Sequence, residues 1–363
     1  MPDDAGCEQP GRVGAGRGGG DRQPWRRGLR ARAANLAVLG ALVAAVSVTV
    51  PAAAQDERVL AYVTNVVPGT VSVVDAATGK AVGDPVDVGE EPAGVAISPD
   101  GERVYVTNSA SGSVSVIDTA TQAVLGDALK VGAQPAGVAV SPDNSRVYVA
   151  DSGSDTVSVI DTGKGENGEV VDSVSVGDSP QGVAVGPDGA EVYVTNTGGG
   201  SVSLIDTSTR QVAGEPIDVG GTPWGVTASA KRVYVTDATA SGTVKVIDAA
   251  TRQVVGEPIG VGSQPRGLAL TADPARLYVA NFASKSVSVI EVGEDTPTVT
   301  SLTVGSQPQD VALTPDDSRA CVTNTASGNL SLIENTTPPA VQGEPVAGGG
   351  TPVDVAIGSV PSG

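Results

Sequence analysis

The stretch Pro92–Val124, PAGVAISPDGERVYVTNSASGSVSVIDTATQAV, recurs with variations along most of the chain. Its tetrad YVTN starts at Tyr105, and versions start at Tyr62, Tyr148, Tyr193, Tyr234, Tyr278 and, with Cys for Tyr, at Cys321. The successive spacings are 43, 43, 45, 41, 44 and 43 residues. A second marker, P-x-G/D-V/L, starts at Pro92, Pro135, Pro180, Pro223, Pro265, Pro308 and Pro352. A fixed period of roughly 20 to 50 residues is the signature of a stacked or circular array.

Within one unit, GVAIS, RVYVT and SVSVID are short runs rich in β-branched residues, and AVLGDALKVG is a weaker fourth run. Turn formers separate them, SPDG, NSASG, DTATQ and GAQP, and no segment has the length or period of a helix. Four strands in such a unit make a propeller blade. The chain therefore reads as all-β, a seven-bladed β-propeller with four antiparallel strands per blade.

The chain ends supply a check. The tetrad at Tyr62 has no P-x-G-V strand before it, and the strand at Pro352 has no tetrad after it. Each end then holds part of one blade, and strand Val353–Ile357 is expected beside Val59–Thr64, closing the ring and protecting the strand edges. The Gly, Val and Ala of each first strand suit the crowded axis. All six Tyr share one repeat register, where the simplest role is a wedge between blades, each burial contributing roughly 1.5–3 kcal/mol. Cys321 then marks a blade packed differently.

Residues 1–54 read as a Gly- and Arg-rich leader and export signal. Arg26, Arg27, Arg30 and Arg32 precede an uncharged run, Ala33–Val50, followed by PAAAQ, the order of basic region, apolar region and small-residue cleavage site. Cleavage after Ala54 is the reading adopted. An uncleaved N-terminal anchor is the alternative, since the run is near the shortest that spans a bilayer, and Arg26-Arg27 resembles a twin-arginine signal. A secreted or cell-surface location follows from either reading.

Residues 55–363 read as a single domain, because blades cannot bury their faces alone. They hold 15 basic and 37 acidic residues, a net charge of −22. Such a surface repels phosphate backbones, so nucleic acid and membrane insertion of the mature domain are not expected. Cys7 leaves with the leader, so Cys321 stands alone and reads as an inert core residue. The chain contains no His, which removes Ser-His and Cys-His nucleophile pairs and histidine-bound haem, zinc or copper. No calcium loop motif is present, so no cofactor or metal is expected and no catalytic set is named.

Two polar rings recur. Asn65, Asn108, Asp151, Asn196, Asp237, Asn281 and Asn324 end the second strands, and Asp75, Asp118, Asp161, Asp206, Asp248, Glu291 and Glu334 end the third. Carboxylate rings can bind cations, but Asn and Asp before Ser, Thr and Gly also satisfy turn backbones, and recurrence in every blade favours the turn role.

Function is expected where the repeat breaks. On the P-x-G loops the variable residue is Ala93, Ala136, Gln181, Trp224, Arg266, Gln309 or Val353. Trp224 is the one Trp after the leader, and the blade carrying Arg266 also carries Phe282, the one Phe, and Lys285. Trp and Arg are over-represented at binding hot spots. Trp224, Arg266 and Phe282 are therefore the candidate ligand-binding residues, with Gln264, Gln307, Gln309 and Asp310 as polar rim. Asp310 and Asp354 take the Gly position of the last two P-x-G motifs and are the obvious carboxylates for the channel mouth. The loop Asp161–Glu169, DTGKGENGE, reads as long and flexible, and Asn329 and Asn335 begin N-x-S/T sequons.

The tetrad, the P-x-G-V-A-V-S-P-D-G lead-in and the VSVIDTAT strand resemble those of the YVTN family of β-propeller repeat proteins over residues 58–358. The resemblance implies an extracytoplasmic seven-bladed propeller, similar to surface-layer propellers that mediate cell-surface or matrix contacts. Similar repeats occur in lactonases, streptogramin lyases and haem, copper or quinone dehydrogenase relatives, and those that use His find no counterpart here. The leading expectation is a secreted or surface-exposed, non-enzymatic scaffold that recognises a protein or cell-wall polysaccharide through one loop face, as a monomer or with weak self-association. The alternatives are a lactonase-like hydrolase or isomerase using carboxylates, with or without calcium, and a structural surface-layer subunit.

Overall fold

A computed structural model describes residues 58–272, 276–293 and 296–361; the leader, its cleavage site and its apolar run lie outside them. Among the described residues no helix is long and apolar enough to cross a membrane. Seven antiparallel sheets follow one another along the chain, and one short 3-10 turn, Thr325–Ser327, is the only helical element among the described residues. Blade 2 shows the plan: inner strand Pro92–Ile97, second strand Arg103–Asn108, third strand Ser113–Asp118, and an outer strand split into Ala123–Val124 and Leu129–Lys130. Blades 3 to 7 repeat it, with inner strands at Pro135–Val140, Pro180–Val185, Pro223–Ala228, Pro265–Leu270 and Pro308–Leu313.

Blade 1 takes its inner strand from the other end of the chain. Pro352–Val360 pairs antiparallel with Arg58–Asn65, Tyr62 opposite Ala356, the closure expected from the half-blades at the two ends. A ring closed this way leaves no inner strand without a neighbour on either side.

Each letter of the tetrad has a task. The Tyr points into the next blade: Tyr62 packs with Val104, Val106 and Ile117, and Tyr278 with Ala320, Val322 and Ile333. Cys321 takes that place against Ala61, Val63 and Val74, where the closing strand contributes Val355 and Ile357. Burial pushes its thiol up to about 12, so it is inert as a nucleophile. The Thr hydroxyl ties neighbouring inner strands together. Thr107 accepts from the Gly94 amide at 2.7 Å and donates to the Ala136 carbonyl at 2.6 Å, and Thr195 of blade 4 and Thr236 of blade 5 make the same pair of bonds to their own and the next inner strand. Blades 3 and 6 have Ala150 and Ala280 there and lack the tie.

The Asn caps a loop. Asn108 accepts from the Gly89 amide and donates to the Ser113 and Ser115 hydroxyls. The acids that end the third strands cap the following turn in the same manner. Asp118 accepts from the Thr121 hydroxyl and amide, which hold its carboxyl below the usual range, while Glu291 pairs with Arg276 at 2.7 Å. Both polar rings thus have turn and pairing roles. The Gly of P-x-G is demanded by close approach, because a Cβ at Gly94 would overlap the Ala136 carbonyl of the next blade.

The loop Asp161–Glu169 is pinned, contrary to the flexible reading: Asn167 donates to the Leu125 and Asp127 carbonyls of blade 2. Asn335 of the second sequon is engaged by Arg276, by the Tyr278 hydroxyl and by the Asp317 carbonyl, so its amide is not free for modification.

Candidate binding site at the channel mouth

The loops before the inner strands and those between second and third strands meet on one face around the axis. There the channel widens to a cavity of about 460 Å³. Six of the seven variable P-x-G residues, Ala93, Ala136, Gln181, Trp224, Gln309 and Val353, form part of its wall. Two grooves of about 550 and 540 Å³ lie on the opposite face, near Asp100 and Arg319; neither contains a candidate residue.

Arg266 is held at the rim. Its guanidinium lies over the Phe282 ring, 3.6 Å from the centroid, and over the Trp224 ring at 4.7 Å, and it donates to the Gln309 side-chain oxygen. Each stacking contact is worth about 0.5–1 kcal/mol when exposed and ~2 when desolvated. The structure therefore joins Trp224, Arg266, Phe282 and Gln309 in one cluster. Arg210, Arg232, Arg252, Arg276 and Arg319 each meet a carboxylate, whereas Arg266, like Arg58, Arg103 and Arg146, forms no ion pair among the described residues, and of these four it is the one at the cavity mouth. Burial pushes its pKa down to about 10, which still leaves it charged at neutral pH. A guanidinium has five N–H donors in a rigid fork, so most of its donor edge remains for a ligand.

One expectation changes here. Arg266 covers a face of each ring of the Trp224–Phe282 pair, so of the sugar ring, carboxylate or peptide that such a cluster could take, the geometry suits the carboxylate better than a stacked sugar. Gln264 and Gln307 lie outside the cavity wall. Both are exposed and left-handed, with φ of 52° and 55°, and their carbonyls accept from the Phe282 and Thr325 amides. They are turn residues, like Glu91 and Gln134 in the same register.

Asp310 and Asp354 do come together. Their side chains are hydrogen-bonded to each other in the channel wall. Asp354 also accepts from the Val95 amide at 2.8 Å and its own neighbour Val355 at 2.9 Å, and Asp310 accepts from Val355 at 3.3 Å. Burial and then the Asp354 charge raise the Asp310 carboxyl well above its ordinary range, and burial raises Asp354. Both shifts disfavour having the two carboxylates ionised together. The pair stitches blades 7, 1 and 2 across the ring closure. Amides of inner strands pointing into the channel were invisible to sequence reasoning; the Asp-for-Gly changes were the available signal. Among the described residues no group of three or more His, Cys, Asp or Glu is placed to hold a metal ion.

The comparisons agree with this architecture. The chain is a β-propeller repeat protein. A family model described as a YNCE-like β-propeller matches residues 114–276, and no curated protein matches the sequence. Among solved structures, the hydrazine synthase of Kuenenia stuttgartiensis is similar at 27% identity over 74% of this chain and 90% of that one, with a TM-score of 0.67. A candidate 6-phosphogluconolactonase from Bacteroides uniformis is similar at 17% identity over 84% and 100% of the two chains, with a TM-score of 0.71. Apo AztD from Citrobacter koseri is similar at 12% identity over 85% and 99%, with a TM-score of 0.61. At such identities the last two likenesses concern the fold alone.

Proposed function

We propose that this propeller is an exported, non-enzymatic binding module of the surface-layer-like YVTN type, recognising a carboxylate on a cell-wall polysaccharide or protein through its channel mouth. The supporting observation is Arg266, a charged guanidinium fixed between two aromatic rings beside a 460 Å³ cavity, with no carboxylate partner among the described residues. Leaving a partly buried cation unpaired is costly, and a ligand carboxylate completing the fork supplies the missing partner. The domain's charge repels polyanions, so the ligand suited to this site is a mostly neutral molecule carrying an isolated acidic group.

Fluorescence tests this directly, because Trp224 is the one Trp beyond the leader. Residues 55–363 are titrated with uronate-bearing glycans, neutral glycans and peptides with a free C-terminus. The expected result is a saturable change with the acidic ligands and at least a tenfold loss of affinity in Arg266→Ala, about 1.4 kcal/mol. Affinity unchanged within twofold in that variant overturns the reading.

The Asp310–Asp354 pair favours a second reading, a lactonase-like hydrolase, a reading also in keeping with the fold of the candidate 6-phosphogluconolactonases. In it a carboxylate takes a proton from water, the hydroxyl adds to the lactone carbonyl, and the ring C–O bond breaks with the proton passing to the leaving alkoxide. Lactone hydrolysis abolished in Asp354→Asn supports it; the same rate in both proteins rules it out.

A further inference from the structure

The outer strand of a blade is an unpaired edge, and such edges invite pairing with another chain unless they are guarded. Six blades carry a guard. In blades 1, 4, 5 and 7 the outer segment contains Gly-Asp/Glu-Pro, at Gly83–Pro85, Gly214–Pro216, Gly256–Pro258 and Gly343–Pro345, and blade 2 has Gly126-Asp127. Each of these Gly residues has a positive φ. The result is a strand split in two in blades 1, 2 and 4 and a register shift in blades 5 and 7. Blade 3 lacks the motif but has a register shift and Asp172, 3.5 Å from Arg210. A bulge, a charge and a proline are the devices that keep edges from pairing.

The outer strand of blade 6 has none of them within its length, Pro297 falling just before it. This strand, Thr298–Thr303 (TVTSLT), pairs with Ser286–Glu291 over six residues without a shift. It contains no Pro, no Gly and no charge, and all but Leu302 are exposed, Val299 at 42%. We infer that the outer edge of blade 6 is a strand-pairing interface whose partner is the same edge of a second copy of this chain.

The self-partner follows from symmetry and charge. Two antiparallel copies related by a two-fold axis through the sheet must centre on a residue that faces its own copy. Centring on Thr300 sets Val299 against Ser301 and Thr298 against Leu302; centring on Ser301 sets Thr300 against Leu302 and Val299 against Thr303. Neither register opposes like charges. In a chain of net charge −19, an uncharged edge is where two copies meet with least repulsion, and it offers no charge to a cationic or anionic partner.

Cross-linking and sedimentation test this on the full chain with Cys7→Ser, Cys321 being buried. Ser301→Cys or Thr300→Cys should form a disulfide-linked dimer on mild oxidation, because directly opposed strand residues lie within disulfide reach. Val254→Cys and Val341→Cys, exposed on the outer strands of blades 5 and 7 at the register of Val299, should not. Sedimentation equilibrium should show a weak, concentration-dependent dimer whose association constant falls at least tenfold in Thr300→Lys/Ser301→Lys, with an unchanged far-UV spectrum. A monomer at every concentration, equal cross-linking at the control positions, or association untouched by the lysines overturns the proposal.

Discussion

Blade 2 and blade 6 are built on one pattern, and four of the registers at which they differ separate their roles. Where blade 2 has Ala93, Ser109, Thr107 and the Gly126-Asp127 guard, blade 6 has Arg266, Phe282, Ala280 and the plain strand Thr298–Thr303. Two of these positions in blade 2 hold the ring together or shield its edge: Thr107 bonds across to blade 3, and Gly126 breaks the outer strand. Blade 6 gives up the tie and the guard and gains a stacked cation at the mouth. The lesson is that a repeat carries stability in its common positions, so one unit can diverge while its neighbours keep it in place.

The sharpest break of that comparison removes the neighbours' support. Deleting residues 351–363 takes away the inner strand of blade 1, and the single cooperative thermal transition should be lost; an unaltered transition would contradict closure by this strand. A smaller effect is expected at Gly94→Ala in blade 2, whose Cβ overlaps the Ala136 carbonyl. It should cost about 1–3 kcal/mol in urea unfolding, the range for overpacked interiors.

Thr107→Ala converts blade 2 to the blade 6 residue and leaves a buried amide and carbonyl without their hydroxyl. Roughly 1–3 kcal/mol is the penalty for such orphaned groups, and the midpoint of denaturation measures it. A loss near zero would mean that the tie adds nothing and that Ala280 is no concession.

The Asp310–Asp354 pair makes closure pH-dependent. Folded-state values above the unfolded carboxylate range mean that the pair's contribution is complete below that range and is lost as pH rises through the raised values. Asp310→Asn removes the Asp310 part of this sensitivity, Asp354 remaining raised by its burial. The variant should gain melting temperature relative to the parent as pH rises and lose that advantage in acid; parallel melting curves across pH would count against the raised Asp310 value. The least effect is expected from Gln264→Ala and Gln307→Ala, turn residues outside the cavity, which should leave ligand affinity within about twofold by fluorescence titration.

The architecture was legible in the sequence because each blade is encoded locally and repeated. Period, strand alternation and the half-blades at the ends stated the blade number and the closure, and the Tyr register was read as an inter-blade wedge. The candidate site was legible only in part. Trp224 and Phe282 stood out as single occurrences after the leader and Arg266 as the one Arg at its repeat position, yet nothing in their spacing revealed that the Arg covers both rings. Gln264 and Gln307 looked like rim residues because their left-handed turn geometry depends on backbone angles that composition does not report.

By itself, the sequence determined the strand pattern, the seven-fold count, the acidic charge and the exclusion of histidine chemistry, all properties of local composition and period. Only the tertiary structure decided which departures meet. Closing the ring brings Asp310 and Asp354 into contact from 44 residues apart and places Arg266 between side chains of two blades, because contact across a closed ring is set by the curvature of the assembly and by no single unit.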